Sequence, residues 1–139
     1  MSIVIVQGIH SDSAPLGADF YAGLCALAAA VGRRLEIRPC ASLREFVAQL
    51  RSARSARAEF VLLDPGELAA QTLARPEAVR RALDQLPGAY IEVHDRSATT
   101  LDERLHAHAL PMATIVINGD LAASYRIALG IALRRLGRA

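Results

Sequence analysis

Lysine is absent from this sequence, and all sixteen basic residues among its 139 are arginine. A lysine amine is required for Schiff-base catalysis and for the attachment of pyridoxal phosphate. A Walker-type phosphate-binding loop also requires its own lysine. The composition therefore excludes these three kinds of site.

Cysteine and long apolar runs are also scarce. The two cysteines, Cys25 and Cys40, are too few for a disulfide framework and lack metal-ligand spacing, which favours a reducing cytoplasm. Although 53% of the residues are hydrophobic, no apolar run approaches the roughly 20 residues that a membrane span needs. The first residues have no basic start or small-residue cleavage site and read as a strand rather than a signal peptide. We expect a cytoplasmic protein without a membrane partner.

Charge of one sign is not in large excess either. The formal net charge is +2, and the arginines are scattered over predicted helix faces without aromatic residues between them. A nucleic-acid-binding surface usually combines a clustered basic patch with such interleaving. We therefore expect no nucleic-acid partner.

Apolar segments of strand length alternate with helical patterns along the chain, which is typical of βαβ architecture. The length of 139 residues suits one domain. Five segments predict strands: residues 3–6, 35–37, 60–63, 90–93 and 113–117. We predict a single α/β domain over residues 1–139, with a flavodoxin-like doubly wound sheet of five parallel strands in the order 2-1-3-4-5.

The segments between the strands predict helices. The first predicted helix ends at Gly32 and places five apolar residues on one face: Phe20, Leu24, Leu27, Ala28 and Val31. Ser42 with Glu45, and Thr100 with Glu103, have the spacing of capping boxes. The second box opens a short predicted helix that continues to about residue 108, and the last helix covers residues 121–136.

Polar residues follow the central strands at the points where they end. They occupy residues 7–12, 64–67, 94–97 and 118–120. In a doubly wound sheet, ligands bind beyond the carboxyl ends of the strands, near the switch in strand order. We therefore predict a site there, and it requires Asp64 and His94 to face one shared crevice.

Three polar residues, two after strands and one within a strand, are the candidate catalytic groups. His94 follows an apolar strand, and the pKa of imidazole near neutrality suits proton transfer, although a structural pairing with a carboxylate is the alternative. Asp64 could act as a base, bind a hydroxyl group or cap the turn at Pro65 and Gly66. Glu92 lies inside a strand and is either solvated at an edge or buried and paired.

The remaining candidates bind rather than react. His10 lies in a short loop, where contact with a ligand and simple exposure both stay open. Arg104 and His108 share a predicted helix face, which is either simply solvated or a face from which Arg104 could clamp a carboxylate. His106 and His108 are two positions apart and do not present a metal-binding face, so we predict no metal site.

Several short motifs also occur in a fixed order. Residues 63–66 read Leu-Asp-Pro-Gly and residues 91–94 read Ile-Glu-Val-His. Residues 111–114 read Pro-Met-Ala-Thr and precede Gly119 and a Tyr-x-x-Ala-Leu segment at Tyr125. In order and spacing, these motifs resemble those of the type II 3-dehydroquinate dehydratases, or dehydroquinases.

The resemblance implies a flavodoxin-like fold and a homo-oligomer, a dodecamer built from trimers. It also implies a cofactor-free lyase of the shikimate or quinate pathway that removes water from a cyclic hydroxy-keto acid. In the family, the histidine equivalent to His94 protonates the departing hydroxyl, Glu92 has its counterpart beside it, and the residue at the position of Asp64 holds the substrate. Four further residues lie at or next to substrate-binding positions of the family: His10, Arg96, Ser97 and Arg104.

The loop after the first strand departs from the family pattern. The family carries an arginine and its catalytic tyrosine in a mobile loop there. In this chain only about ten residues separate Gly8 from the first helix, no arginine precedes Arg33, and Tyr21 falls within the predicted helix. Asp64 replaces an asparagine, and Arg81 stands where the family lends an aspartate from a neighbouring subunit.

Three functions follow from these patterns. The first is a dehydratase-like lyase acting on 3-dehydroquinate or a related small polar hydroxy-keto acid. The second is a catalytically inactive relative that serves as a small-molecule binding or regulatory module, which the short loop and Arg81 favour. The third is a receiver-like phospho-acceptor at Asp64, which is disfavoured because Asn118 stands where such domains have a lysine.

Overall fold

Five parallel strands form one sheet in the computed structural model, which describes residues 2–11, 15–102, 105 and 110–137. The strands are β1 (Ser2–Ile9), β2 (Arg34–Pro39), β3 (Phe60–Gly66), β4 (Ala89–His94) and β5 (Ala113–Val116). Their order is β2-β1-β3-β4-β5. The predicted flavodoxin-like, doubly wound α/β fold is confirmed.

Among the described residues, five helices connect or follow the strands. They are α1 (Ala18–Ala29), α2 (Leu43–Ser55), α3 (Ala69–Thr72), α4 (Pro76–Asp84) and α5 (Leu121–Leu136), and a short 3₁₀ turn covers Ser97–Thr99. Helix α5 has the bounds expected from the sequence. The sequence does not predict helix α3, because a helix of four residues is too short to show helical periodicity. Within the described ranges, no helix is both long and apolar enough to cross a membrane.

Strand alternation divides the interior into two cores, because successive side chains of a strand point to opposite faces of the sheet. The α1/α5 face of the sheet packs against those two helices and includes Ile3, Ile5, Phe60, Leu62, Ile91, Val93, Leu24 and Tyr125. The α2/α4 face includes Val4, Val6, Val61, Leu63, Tyr90, Phe46, Leu50 and Val79. Burial on both faces explains why β3 is apolar throughout residues 60–63.

The buried face of α1 is narrower than predicted. Leu24 and Ala28 are buried, but Leu27 is 54% exposed and Val31 is 50% exposed. At about 100° per residue, Leu27 lies about 60° around the helix from Leu24 and away from the sheet. Val31 lies beyond the end of the helix, in the turn that Gly32 completes with a φ of +74°.

The first predicted capping box forms with one shifted bond. The Ser42 hydroxyl accepts a hydrogen bond from the Glu45 amide at 3.2 Å, while the Glu45 carboxylate accepts from the amide of Ala41 at 3.1 Å. Thr100 lies outside any helix, directly after the 3₁₀ turn. Glu103 and most of the helix predicted to residue 108 lie outside the described residues.

Candidate functional site

The switch in strand order falls between β1 and β3, and polar side chains occupy the carboxyl ends of both strands. Gln7 of β1 lies opposite Asp64 of β3 in the parallel register. Gln7 follows Ile3 and Ile5 at a spacing of two, and Asp64 follows Leu62 in the same way. Both polar side chains therefore point to the α1/α5 face.

Asp64 is fully buried at the centre of this site. Its Oδ1 lies 2.6 Å from Nε2 of His10, and its Oδ2 accepts a hydrogen bond from the Tyr125 hydroxyl at 2.5 Å. A buried carboxylate is tolerated when it is paired and hydrogen-bonded, and both oxygens meet that condition. Neither oxygen is open to a phosphodonor, which argues against the receiver-like function.

Two further side chains extend the contacts of Tyr125. The amide nitrogen Nε2 of Gln7 lies 3.1 Å from the Tyr125 hydroxyl and 2.6 Å from the hydroxyl of Tyr21. Helix α5 supplies Tyr125 and helix α1 supplies Tyr21, so the two helices meet over the end of the sheet. We call this continuous series the hydrogen-bond chain: His10, Asp64, Tyr125, Gln7 and Tyr21.

His10 is placed between two carboxylates. Its Nε2 contacts Asp64, and its Nδ1 lies 3.5 Å from Oδ2 of Asp95. Burial lowers the pKa of His10, but the hydrogen bonds and negative charges of Asp64 and Asp95 outweigh burial and raise the pKa above the ordinary 6.5. The side chain is 11% exposed, so the imidazole reaches the surface at this end of the sheet.

Direct contact between the loops after β1 and β3 fixes the position of this imidazole. The amide of Glu67 donates to the carbonyl of Ile9 at 2.8 Å. The amide and the hydroxyl of Ser11 both donate to the Glu67 carboxylate. A Cβ at Gly8 would overlap the carbonyl oxygen of Pro65, so the close approach of the two loops requires glycine there.

Tyr125 has a strongly perturbed hydroxyl. Burial raises the pKa of Tyr125 well above 10, and the negative charge of Asp64 and the hydrogen bond to it raise the pKa further. The phenol therefore stays protonated and donates a hydrogen bond to Asp64. Tyr125 holds the carboxylate in place and does not act as a base.

His94 and Glu92 form a second polar cluster, and both are almost completely buried. Nε2 of His94 lies 2.9 Å from Glu92 Oε1, and Nδ1 lies 2.9 Å from the hydroxyl of Thr99. Glu92 Oε1 also accepts a hydrogen bond from the amide of Leu101 at 3.3 Å. The structure thus shows Glu92 as buried and paired, and the pair holds the segment after β4 onto the α2/α4 face.

Asp64 and His94 do not meet. Asp64 points to the α1/α5 face and His94 to the α2/α4 face, and among the described residues no hydrogen bond or ion pair joins them. The expected shared crevice is therefore not formed. Both residues end a strand, but strand alternation directs them to opposite faces. The two residues are linked only through their neighbours. Asp95, next to His94, lies beside His10, which contacts Asp64. Ser124, next to Tyr125, donates its hydroxyl hydrogen to the main-chain carbonyl of His94 at 2.7 Å.

Two of the other predicted binding residues, Arg96 and Ser97, lie just beyond the carboxyl end of β4. Arg96 and Ser97 are exposed. Their main-chain carbonyls accept hydrogen bonds from the hydroxyls of Thr99 and Thr100, at 3.0 and 2.8 Å. Arg104 lies outside the described residues.

His10 and Asp64 are visible in the sequence as polar residues after strands, but the residues that join them to α1 and α5 are not. Gln7 could have been found from its spacing of two from Ile5. Tyr21 lies in α1, as predicted, and its hydroxyl nevertheless reaches the end of β1. Its spacing of three from the buried Leu24 was the available signal.

The hydrogen-bond chain suits proton transfer and the binding of oxygen atoms. Within the described ranges, no three His, Cys, Asp or Glu side chains are arranged to hold a metal ion. The hydrogen-bond chain has the imidazole of His10, whose pKa is raised, at one end and the half-buried phenol of Tyr21 at the other. Such groups can donate protons or hydrogen bonds to a hydroxyl, carbonyl or carboxylate of a small ligand.

Comparison with known proteins agrees with this architecture. No protein-family model and no curated protein matches the chain. The crystal structure of a type II dehydroquinase from Propionibacterium acnes is similar, with a TM-score of 0.68 and 23% identity over 94% of this chain and 96% of that one. The type II dehydroquinase from Butyrivibrio crossotus has a TM-score of 0.69 and 14% identity over the same shares of the two chains.

A third similar structure is a 3-dehydroquinate dehydratase-like protein from Bifidobacterium longum. Its TM-score is 0.66 and its identity is 21%, over 98% of each chain. At these identities the likeness establishes architecture. Across nearly its whole length, the chain has the fold of the type II dehydroquinases.

Proposed function

We propose that this protein is a cofactor-free lyase, similar to the type II 3-dehydroquinate dehydratases, that removes water from 3-dehydroquinate or a related small polar hydroxy-keto acid. The observation that supports this proposal most is the pair of His10 and Asp64, 2.6 Å apart. The pair lies at the switch in strand order, where doubly wound sheets bind ligands. The shared fold supports the choice of substrate class.

His10 is the proposed general base and general acid. Loss of water beside a ketone requires removal of a proton to give an enolate and protonation of the departing hydroxyl, and one imidazole can do both in turn: neutral His10 takes the carbon proton, and the imidazolium so formed gives it to the hydroxyl as water leaves. The hydrogen bonds and charges of Asp64 and Asp95 raise the pKa of His10, which strengthens the imidazole as a base, and its partial exposure lets a ligand reach it. Asp64 and Asp95 stabilise the imidazolium, and Tyr125 holds Asp64 in place.

The other candidates receive roles that fit their positions. Arg96 and Ser97, exposed after β4, are proposed to bind the carboxylate and hydroxyl groups of the substrate. Arg104 is proposed for the same role from its motif. His94 and Glu92 are proposed as positioning residues, because both ring nitrogens of His94 are occupied inside the protein.

The test is the formation of enone absorbance from 3-dehydroquinate by the purified protein. His10→Gln keeps a hydrogen-bond donor for Asp64 but removes the acid, so we expect kcat to fall by about 10²–10⁴-fold. Tyr90→Phe is the control, because it removes a hydroxyl from the opposite face of the sheet and should keep the wild-type rate. Absence of turnover by the wild-type protein would exclude the dehydratase activity on this substrate.

A non-catalytic binding or regulatory module is the second candidate. The burial of His94 between Glu92 and Thr99 favours it, because the histidine that matches the family motif is not open to a ligand. This function predicts that 3-dehydroquinate raises the melting temperature without being consumed. The same measurement on His10→Gln should show a smaller shift if the ligand binds at the hydrogen-bond chain.

We also propose that the chain forms a homo-oligomer based on trimers, up to a dodecamer. Large apolar side chains that are well exposed on a single chain support assembly, among them Leu27, Leu110 and Ile127. Light scattering coupled to size-exclusion chromatography gives the mass directly. A monomer at micromolar concentration would contradict the proposal.

A further inference from the structure

Counting the available protons gives the direction of the hydrogen bonds from Asp64 to Tyr21 in the hydrogen-bond chain. The Asp64 carboxylate can only accept, so Tyr125 uses its single hydroxyl proton on Asp64. The Tyr125 oxygen can then only accept from Gln7, which means that the Gln7 amide nitrogen faces it. The same amide nitrogen has a second hydrogen, and that hydrogen points to Tyr21.

Among the described residues, this order leaves the hydroxyl proton of Tyr21 without a side-chain or main-chain acceptor. The Tyr21 oxygen accepts from Gln7 at 2.6 Å, and within the described part of the chain the hydroxyl donates to no other group. Tyr21 is half-buried, and its ring packs edge-on against Phe20 at a centroid distance of 5.6 Å. The phenol is thus held in position by its oxygen and its ring while its donor hydrogen is unused.

We propose that the Tyr21 hydroxyl donates a hydrogen bond to the ketone oxygen of the bound hydroxy-keto acid and stabilises the enolate that develops there. The proposal rests on the proposed function. A fixed donor aimed at an oxygen that gains negative charge binds the transition state more strongly than the ground state. Gln7 is a positioning residue, because its N–H fixes the direction of the Tyr21 donor and polarises it.

A catalytic and a merely structural role of Tyr21 predict different kinetic effects. A structural role would change stability and leave kcat in place. A donor to the enolate oxygen changes kcat more than KM, because the hydrogen bond strengthens as charge forms. The enolate oxygen needs a hydrogen-bond donor of its own, because His10 is already assigned to the departing hydroxyl.

The experiment measures kcat, KM and the dissociation constant of 3-dehydroquinate for four forms of the full-length protein. These are the wild type, Tyr21→Phe, Gln7→Glu and the double variant, with Tyr90→Phe as the control. We expect Tyr21→Phe to lower kcat by about 10²–10³-fold with KM changed less than about threefold. In Gln7→Glu the carboxylate accepts the Tyr21 proton, so it should show a similar loss, and the double variant should lose little more.

The outcomes distinguish this proposal from the proposed function. If the wild type turns over and Tyr21→Phe keeps its kcat, the role of Tyr21 is excluded while the lyase function stands. If the wild type binds without turnover, Tyr21→Phe must weaken binding by about 3- to 10-fold, as one hydrogen bond does, or the proposal fails. If the wild type neither binds nor reacts, the proposed function fails, and the role of Tyr21 fails with it.

Discussion

Tyr125 and Asp64 are 61 residues apart in the sequence, and the hydroxyl of one donates to Oδ2 of the other at 2.5 Å. The contact joins the last helix to the end of the central strand β3. It also decides the proton arrangement of the whole site, because the donated proton fixes the orientation of Gln7. Removing this single hydroxyl should therefore lower the free energy of unfolding and also disturb the Tyr21 hydroxyl, which Gln7 holds.

Tyr125→Phe tests the energetic part of this contact. The substitution leaves Oδ2 of Asp64 buried without its donor, so the free energy of unfolding should fall by about 1–3 kcal/mol. Chemical denaturation measures it. In an Asp64→Asn background the cost should be smaller, because the charged acceptor is gone. Equal costs in both backgrounds would show that the hydroxyl acts on something other than Asp64.

The pH dependence of stability should report on His10. Its pKa in the folded protein lies above the ordinary 6.5, so folding favours the protonated form. The resulting stabilisation is fully present below about pH 6.5 and is lost as the pH rises through the folded pKa. Unfolding free energies measured from pH 5 to 9 should fall more steeply for the wild type than for His10→Gln. Parallel curves would contradict the pairing with Asp64 and Asp95.

The second polar cluster should contribute mainly to stability. His94→Ala removes the imidazole that pairs with the buried Glu92, and breaking such a pair costs on the order of 3–5 kcal/mol. Glu77→Ala is the control, because it breaks an exposed ion pair with Arg80 at 3.1 Å and should cost less than about 1 kcal/mol. Similar losses of unfolding free energy for the two variants would contradict the larger contribution expected of the buried pair.

The contact between the two loops is tested at a glycine. In Gly8→Ala the new methyl group would overlap the carbonyl oxygen of Pro65, so we expect a loss of more than about 2 kcal/mol and displacement of His10. Gly23→Ala in α1 is the matched control, since nothing lies within 4 Å of its added Cβ. It should raise the melting temperature slightly, because alanine favours helix by about 1 kcal/mol over glycine. A well-folded Gly8→Ala variant would contradict the proposed role of the loop contact.

The fold could be predicted because its signals are local. The continuous apolar run in β3 and the periodicity of α5 each identify an element without knowledge of its neighbours. Alternation of these elements then leaves few possible topologies. The apolar pattern predicts the wrong face for Leu27, because the width of a buried stripe depends on what packs against it.

The site could be predicted only in part, because its pairings are not local. His10 and Asp64 were visible as polar residues after strands, but their 2.6 Å contact depends on how two loops cross. The expected meeting of Asp64 with His94 failed because a one-residue difference in parity reverses the face of a strand. The contact of Gln7 with Tyr125 spans 118 residues and leaves no periodic signal.

Helix α5 contacts both polar clusters through consecutive residues. Ser124 donates to the backbone of β4 at His94, and Tyr125 donates to the side chain of Asp64. A rotation or slide of this one helix would disturb an anchor on β4 and an anchor on β3 at the same moment. Substitutions along the outer side of α5 are therefore a route by which selection could tune acidity on one face of the sheet and loop placement on the other together.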